Sequence, residues 1–268
     1  MSERSKILII GALGSIGLIL AKELDRSHEV ILADLPEQVE SAGMGVALDV
    51  RNYQQVLEAS ADGCKAIINL AGLRRQPQIV QPETFQNMMQ TYIKGTYNIL
   101  QSARSNQVPK VILASTNHVT GQYEEDGVST LGRPIVATDS PAPDDIYAAM
   151  KLFCEEAGRV YSNSSLSVIC LRLGTVLGPG DESFITYKRI MRTFLSHMDM
   201  VNLFECALSA DIDYGVYYGV SDNPQKPWSI DEAKLDIGYS PKMNSVEMLQ
   251  KAQLTMSASG KSNELVKE

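Results

Sequence analysis

Three glycines spaced three apart, in Gly11-Ala12-Leu13-Gly14-Ser15-Ile16-Gly17, constrain this chain more than any other feature. They follow the apolar run Ile7–Ile10 and open the amphipathic stretch Leu18–Arg26. A strand, a glycine-rich turn and a helix in that order start a βαβ unit. Gly11 allows the tight turn, Gly14 lets the backbone approach a pyrophosphate, and Gly17 lets the helix pack closely on the strand. Gly14, Ser15 and Ile16 then present unpaired N–H groups to phosphate at the positive end of the helix dipole. The spacing is G-x-x-G-x-x-G, not the G-x-G-x-x-G of long-chain dehydrogenases.

The same alternation continues downstream. Strands are expected at Glu29–Ala33, Ala66–Leu70, Val111–Ala114 and Ser167–Leu173, and helices at Tyr53–Ala59, Glu83–Ser105 and Ile146–Tyr161. Continuous apolar strands alternating with helices imply right-handed crossovers and a parallel sheet covered on both faces. The expected fold is α/β, a Rossmann-type doubly wound parallel sheet over residues 1–175. After Leu173 the rhythm breaks at Gly178-Pro179-Gly180-Asp181. Helices are expected at Thr186–Leu195 and Met198–Ala207, with Ser196 as N-cap, and a short strand at Val216–Val220. Residues 176–268 read as a small substrate-binding lobe packed on the first part in one compact unit, with a frayed polar tail from Thr255.

Charge and cysteine usage exclude several classes. A net charge of −8 argues against nucleic acid as a partner. No apolar run reaches the ~20 residues that cross a bilayer. Met1-Ser2-Glu3-Arg4 leads almost directly into a strand, leaving no room for a signal peptide. The four cysteines, Cys64, Cys154, Cys170 and Cys206, show neither metal nor disulfide spacing. A cytoplasmic protein without a metal is expected.

Two further signals concern chemistry. Asp34 ends the second strand, where a carboxylate accepts from a ribose diol and repels a 2′-phosphate. Leu35 and Pro36 follow it instead of an arginine, so NAD is expected over NADP. Asp49, at the end of a possible third strand with Val50 beside it, can accept from an adenine amino group or stand solvated. Tyr147 and Lys151 lie four apart, on one face of a helix. A fixed ammonium beside a phenol favours the phenolate, and the pair can move a proton at a carbinol while a nicotinamide takes the hydride.

Together, Gly11–Gly17, Asp34, Asn69-Leu70-Ala71-Gly72, Ala114-Ser115-Thr116, Tyr147-x-x-x-Lys151 and Leu171-Arg172-Leu173-Gly174 resemble the extended branch of the short-chain dehydrogenase/reductase superfamily. The resemblance implies that Leu70, Ala71 and Gly72 line the cofactor and that Thr116, in preference to Ser115, bonds the reacting oxygen. Ser115-Thr116-Asn117-His118, Phe194–Val201 and Ile237–Lys242 are similar to uronate dehydrogenases. Those enzymes use NAD to oxidise the anomeric hydroxyl of a free hexuronic acid to an aldarolactone. On that resemblance Asn117 and His118 touch sugar hydroxyls, Arg189 pairs with the uronate carboxylate, Thr175 sits near the carboxamide and sugar, and His197 is structural. Lys188-Arg189-x-x-Arg192 can equally be an exposed basic helix face. The resemblance also implies a homo-oligomer joined through the helices Glu83–Ser105 and Ile146–Tyr161.

The chain departs from that pattern in places. Leu73-Arg74-Arg75-Gln76 replaces a serine and an acidic stretch, so Arg74 and Arg75 suit a phosphate or stand as surface charges. Tyr92 replaces the usual asparagine, and Glu124–Pro143 reads as an expanded loop. A sugar acid or sugar phosphate is the expected small-molecule partner. A sugar-phosphate dehydrogenase, an epimerase or dehydratase that returns the hydride, and a dinucleotide-sensing regulator remain as alternatives.

Overall fold

Seven parallel strands form one sheet in the order β3-β2-β1-β4-β5-β8-β9. The computed structural model describes residues 4–73, 80–178 and 187–250. Strands β1 (Lys6–Ile10), β2 (Glu29–Asp34), β4 (Cys64–Asn69), β5 (Lys110–Thr116) and β8 (Ser167–Leu173) fall where the apolar runs place them. β3 (Val46–Ala47) is a two-residue edge strand, so Asp49 lies in the turn beyond it and does not end it. β9 (Tyr214–Gly219) pairs with β8 from Val168↔Tyr214 to Leu173↔Gly219, so residues beyond 175 complete the sheet.

The pleat divides the core in two. On one face Ile7 and Ile9 pack with Leu20 and Leu24 of α1 (Ser15–Leu24) and Phe204 of α8 (His197–Ser209). On the other, Leu8 and Ile10 pack with Val56 of α3 (Tyr53–Ala59) and with Ile99 and Leu100 of α5 (Gly95–Ser105). This is the period-two alternation of a strand buried on both sides. Strand order reverses at β1, between β2 and β4, and ligands of such sheets bind outside the carboxyl ends at that switch point.

The stretch expected as one helix, Glu83–Ser105, is three segments. α4 (Pro82–Met88) and α5 flank a π-helical turn at Met89–Lys94. Its wider winding accompanies the burial of Tyr92, which is 2% exposed. π-turns of this kind concentrate at functional sites. α6 (Ile146–Tyr161) has the expected bounds because the Asp145 carboxylate accepts from the Ala148 N–H at 2.7 Å and caps it. Ser196 likewise caps α8 through Asp199 N–H at 3.0 Å.

Three pieces carried no readable sequence signal. α2 (Pro36–Ala42) buries no side chain and so has no apolar stripe. α9 (Asp231–Ile237) buries only Ala233 and Ile237. Within the expected loop Glu124–Pro143, β6 (Glu124–Glu125) and β7 (Val128–Ser129) form an antiparallel hairpin. α7 (Lys188–Thr193) is shorter than the helix expected there. Most of the turn cluster 178–181, Thr186, and the tail from Thr255 lie outside the described residues. Among the described residues, no helix is long and apolar enough to cross a membrane.

Candidate active site

The glycine loop is built as its spacing requires. Gly11 has φ +79°, and a Cβ there would stand 2.8 Å from Ala71 N. A Cβ on Gly17 would stand 2.5 Å from the Gly11 and Ala12 carbonyl oxygens. Helix α1 starts at Gly14 with no capping side chain and no acidic residue in its first turn, leaving its N–H groups open to an anion. Asp34 Oδ2 accepts from Leu13 N and Oδ1 from Leu35 N, each at 2.8 Å. The carboxylate is thus oriented by two backbone amides, and each oxygen keeps a lone pair for a ribose hydroxyl.

The cavity beside Asp34, about 440 Å³, is lined by Gly11, Gly14, Asp49, Val50, Leu70, Ala71 and Gly72 among others. Arg51 also lines it. Its Nη2 lies 2.6 Å from Asp49 Oδ2, and its Nε 2.8 Å from both Asp49 oxygens. The Arg51 hydrogen bonds hold the Asp49 carboxyl below its usual range, against a smaller opposing effect of burial. Any bond from Asp49 to adenine would therefore be made by a carboxylate already oriented by Arg51. Sequence reasoning missed Arg51 because it sought an arginine directly after Asp34.

A second cavity of about 670 Å³ shares Gly11, Gly14, Leu70, Gly72 and Leu73 with the first. It extends past Ser15, Ile16 and Gly17 to Thr116, Tyr147, Lys151 and Thr175. The two form one groove from Asp34 to Tyr147 along the carboxyl ends of the strands. Lys151 is buried, and its Nζ donates to Ala114 O at 2.6 Å. The same nitrogen lies 4.9 Å from the Tyr92 ring centroid and 5.9 Å from that of Tyr147.

β5 sends its last two hydroxyls to opposite faces. Ser115 Oγ donates to Glu155 Oε1 at 2.5 Å, beneath the site. Thr116 Oγ1 accepts from His118 N at 3.3 Å at the floor of the cavity. Glu155, one turn beyond Lys151, receives Arg172 Nε at 2.9 Å and Nη2 at 2.8 Å. Arg172 Nη1 donates to Tyr218 OH at 3.1 Å, and Tyr218 OH lies 2.6 Å from Thr120 Oγ1. This buried chain links β5, α6, β8 and the 3₁₀ turn Asn117–Tyr123.

The remaining candidates for substrate contact are distributed as follows. Thr175 lines the cavity with its Oγ1 2.8 Å from Thr193 Oγ1. Asn117, His118 and Arg189 are not among its lining residues. Asn117 is 3% exposed, and its buried Oδ1 has no hydrogen-bond partner among the described residues. His118 Nδ1 lies 2.8 Å from Asp144 Oδ2. Arg189 grips Glu124, with Nη2 2.7 Å from Oε2. His197 Nε2 lies 2.7 Å from Leu177 O, away from the glycine loop. Arg74 and Arg75 lie outside the described residues.

Fold and groove together define a dinucleotide-binding enzyme of the extended short-chain dehydrogenase/reductase class. Residues 7–212 match the model of the NAD dependent epimerase/dehydratase family, and the chain belongs to that family. It is 33% identical to an NAD-dependent glucose-6-phosphate dehydrogenase of Haloferax volcanii, across 90% of this chain and 94% of the relative. It is 30% identical to a uronate dehydrogenase of Pseudomonas syringae pv. tomato, across 90% of this chain and 83% of that one. A solved structure of a mutated uronate dehydrogenase superposes with a TM-score of 0.77 at 26% identity, covering 94% of this chain and 86% of that chain. NAD is the cofactor, and the open α1 N-terminus, the Cβ-free approach at Gly11 and the anchored Asp34 carboxylate fit it.

Proposed function

We propose that the chain is an NAD-dependent dehydrogenase that oxidises the C1 hydroxyl of a free hexuronate to the aldarolactone. The observation that carries this reading is the convergence of Tyr147, Lys151 and Thr116 in a cavity continuous with the glycine loop. Tyr147 takes the proton of the C1 hydroxyl, and the Lys151 ammonium balances the phenolate charge and holds the nicotinamide ribose. Thr116 bonds the reacting oxygen and keeps its C–H aimed at the cofactor. When bound, NAD supplies the hydride acceptor. Asn117 and His118, which follow Thr116 directly, contact sugar hydroxyls on the family resemblance. Thr175 borders sugar and carboxamide, and Arg189 holds the substrate carboxylate. Gly14–Ile16 cradle the pyrophosphate, Asp34 the ribose, and Asp49, Val50, Leu70, Ala71 and Gly72 line the rest of the cofactor.

Residues 1–175 serve as the cofactor part and 176–268 as the substrate lobe of a cytoplasmic homo-oligomer. Tyr97, Phe153 and Val160, exposed on α5 and α6, are the surface that a second copy would cover. The test of the activity is direct: purified protein with NAD and glucuronate or galacturonate accumulates NADH. Absence of turnover on every hexuronate sinks the substrate assignment, and turnover without net NADH makes the enzyme an epimerase or dehydratase.

One observation favours a second reading. Arg189 already holds a carboxylate of its own chain, so a sugar phosphate bound elsewhere, with Arg74 and Arg75 as its contacts, is the alternative substrate. The resemblance to a glucose-6-phosphate dehydrogenase supports it. Glucose 6-phosphate oxidised in preference to uronates would decide for it.

A further inference from the structure

Tyr92 touches three parts of the site at once. Its hydroxyl accepts from Leu73 N at 2.8 Å and donates to Leu73 O at 3.0 Å, a two-way clasp on one backbone residue. One face of its ring lies 4.9 Å from Lys151 Nζ. Its ring also meets Tyr147 edge-on, with centroids 5.6 Å apart and planes at 74°. The side chain lines the catalytic cavity while remaining 2% exposed.

Each contact has a physical consequence. Leu73 belongs to the segment Leu70–Leu73, which lines both the cofactor end and the catalytic end of the groove. A backbone segment held by both its N–H and its C=O cannot rotate out of that position without losing two hydrogen bonds. Burial, reinforced by the neighbouring Tyr147 phenol, pushes the Tyr92 hydroxyl further up from its ordinary range. Tyr92 thus stays a neutral donor and acceptor. An ammonium over a π face is attracted to it, more strongly when desolvated, so the ring holds Lys151 in addition to its bond to Ala114 O. An asparagine at this position has no ring face and cannot serve Lys151 in this way.

We infer that Tyr92 is a positioning residue that couples the cofactor loop 70–73 to Lys151, its hydroxyl clasping the Leu73 backbone and its ring seating the lysine. The inference rests on the proposed roles of that loop and of Lys151 in binding NAD.

The two halves of Tyr92 separate by substitution, and the readouts need no sugar. Tyr92→Phe keeps the ring and removes the clasp; Tyr92→Leu removes both. Calorimetric titration with NAD gives the dissociation constant, and amide hydrogen exchange reports Leu73. Loss of the clasp weakens NAD binding in Tyr92→Phe about three- to tenfold and speeds Leu73 exchange at an unchanged melting temperature. Tyr92→Leu weakens NAD by a further factor of about three or more. Wild-type NAD affinity and wild-type Leu73 exchange in Tyr92→Phe overturn the clasp. Equal affinities in the Phe and Leu variants overturn the ring's part. Failure on any sugar substrate leaves these measurements unaffected.

Discussion

Arg189 and Glu124 are joined edge to edge. The guanidinium Nε approaches both carboxylate oxygens, at 3.1 and 3.2 Å, and Nη2 lies 2.7 Å from Oε2. The Glu124 side chain is 5% exposed and that of Arg189 33%. The pair fastens the hairpin β6–β7 to α7. A substrate carboxylate must compete for that edge or use Nη1. If Arg189 anchors a uronate, Arg189→Ala raises KM for the uronate about 10- to 100-fold, the worth of a hydrogen bond to a charged group. Glu124→Gln lowers the same KM by weakening the competitor. Steady-state kinetics on glucuronate check both, and an unchanged KM in both variants returns Arg189 to a purely structural role.

The proton-transfer residues give the largest effect. If Tyr147 is the base, Tyr147→Phe, which retains the ring that meets Tyr92, lowers kcat for NADH formation about 10²- to 10⁴-fold. Thr116→Val, which keeps the shape but not the hydroxyl, costs about 10- to 100-fold if it bonds the reacting oxygen as charge develops there. Ser115→Ala acts on stability instead, because its hydroxyl faces Glu155.

If Asp34 holds the ribose as proposed, it also governs cofactor choice. Asp34→Ala removes the ribose acceptor and also frees Leu13 N–H and Leu35 N–H. KM for NAD rises about tenfold or more, and NADP, no longer repelled, becomes a usable substrate. Paired kinetics with the two cofactors settle the point; a variant still closed to NADP would place the discrimination elsewhere.

Glu155 and Arg172 are 2% and 3% exposed at their side chains. Removing one charge leaves the other buried and unpaired, so Glu155→Ala destabilises by about 3–5 kcal/mol. Replacing both, as Glu155→Leu with Arg172→Met, recovers most of that loss, since the desolvation cost disappears with the charges. Urea unfolding of the three proteins tests this. A double variant no more stable than Glu155→Ala contradicts it.

Thiol chemistry follows burial. Cys64, Cys154 and Cys170 are buried and Cys206 is half-buried. Burial pushes the Cys206 thiol up from its ordinary range, with the Glu205 charge adding to it. Less thiolate exists at neutral pH, and reaction with a disulfide reagent accelerates as pH climbs toward the raised value. A native sample gives one slow thiol and a denatured one gives all four.

Legibility in the sequence tracked burial. β1, β4, β5 and β8 are continuous apolar runs because helices cover both faces, and they stood out without a structure. α2 buries no side chain fully and left no periodic trace. The glycine turn was readable too, since the left-handed backbone of Gly11 and the crowding at Gly17 need glycine at fixed offsets. What stayed hidden were the pairings across long separations. Arg189 with Glu124 spans 65 positions, and Tyr92 reaches Leu73 across 19. Residue type alone reported a cation or a phenol; only the fold showed what each was already holding.

The buried chain Ser115–Glu155–Arg172–Tyr218–Thr120 separates two kinds of change. It fixes the strand end beside Thr116 and the helix carrying Tyr147 and Lys151 from below, within the sheet. The hairpin at 124–129 and α7 are held to each other through Glu124 and Arg189 and take no part in those bonds. A lineage built on this scaffold can therefore rewrite the hairpin and α7 while the ends of β5 and α6 stay in register. The departure from the uronate dehydrogenase pattern at 124–143 contains that hairpin.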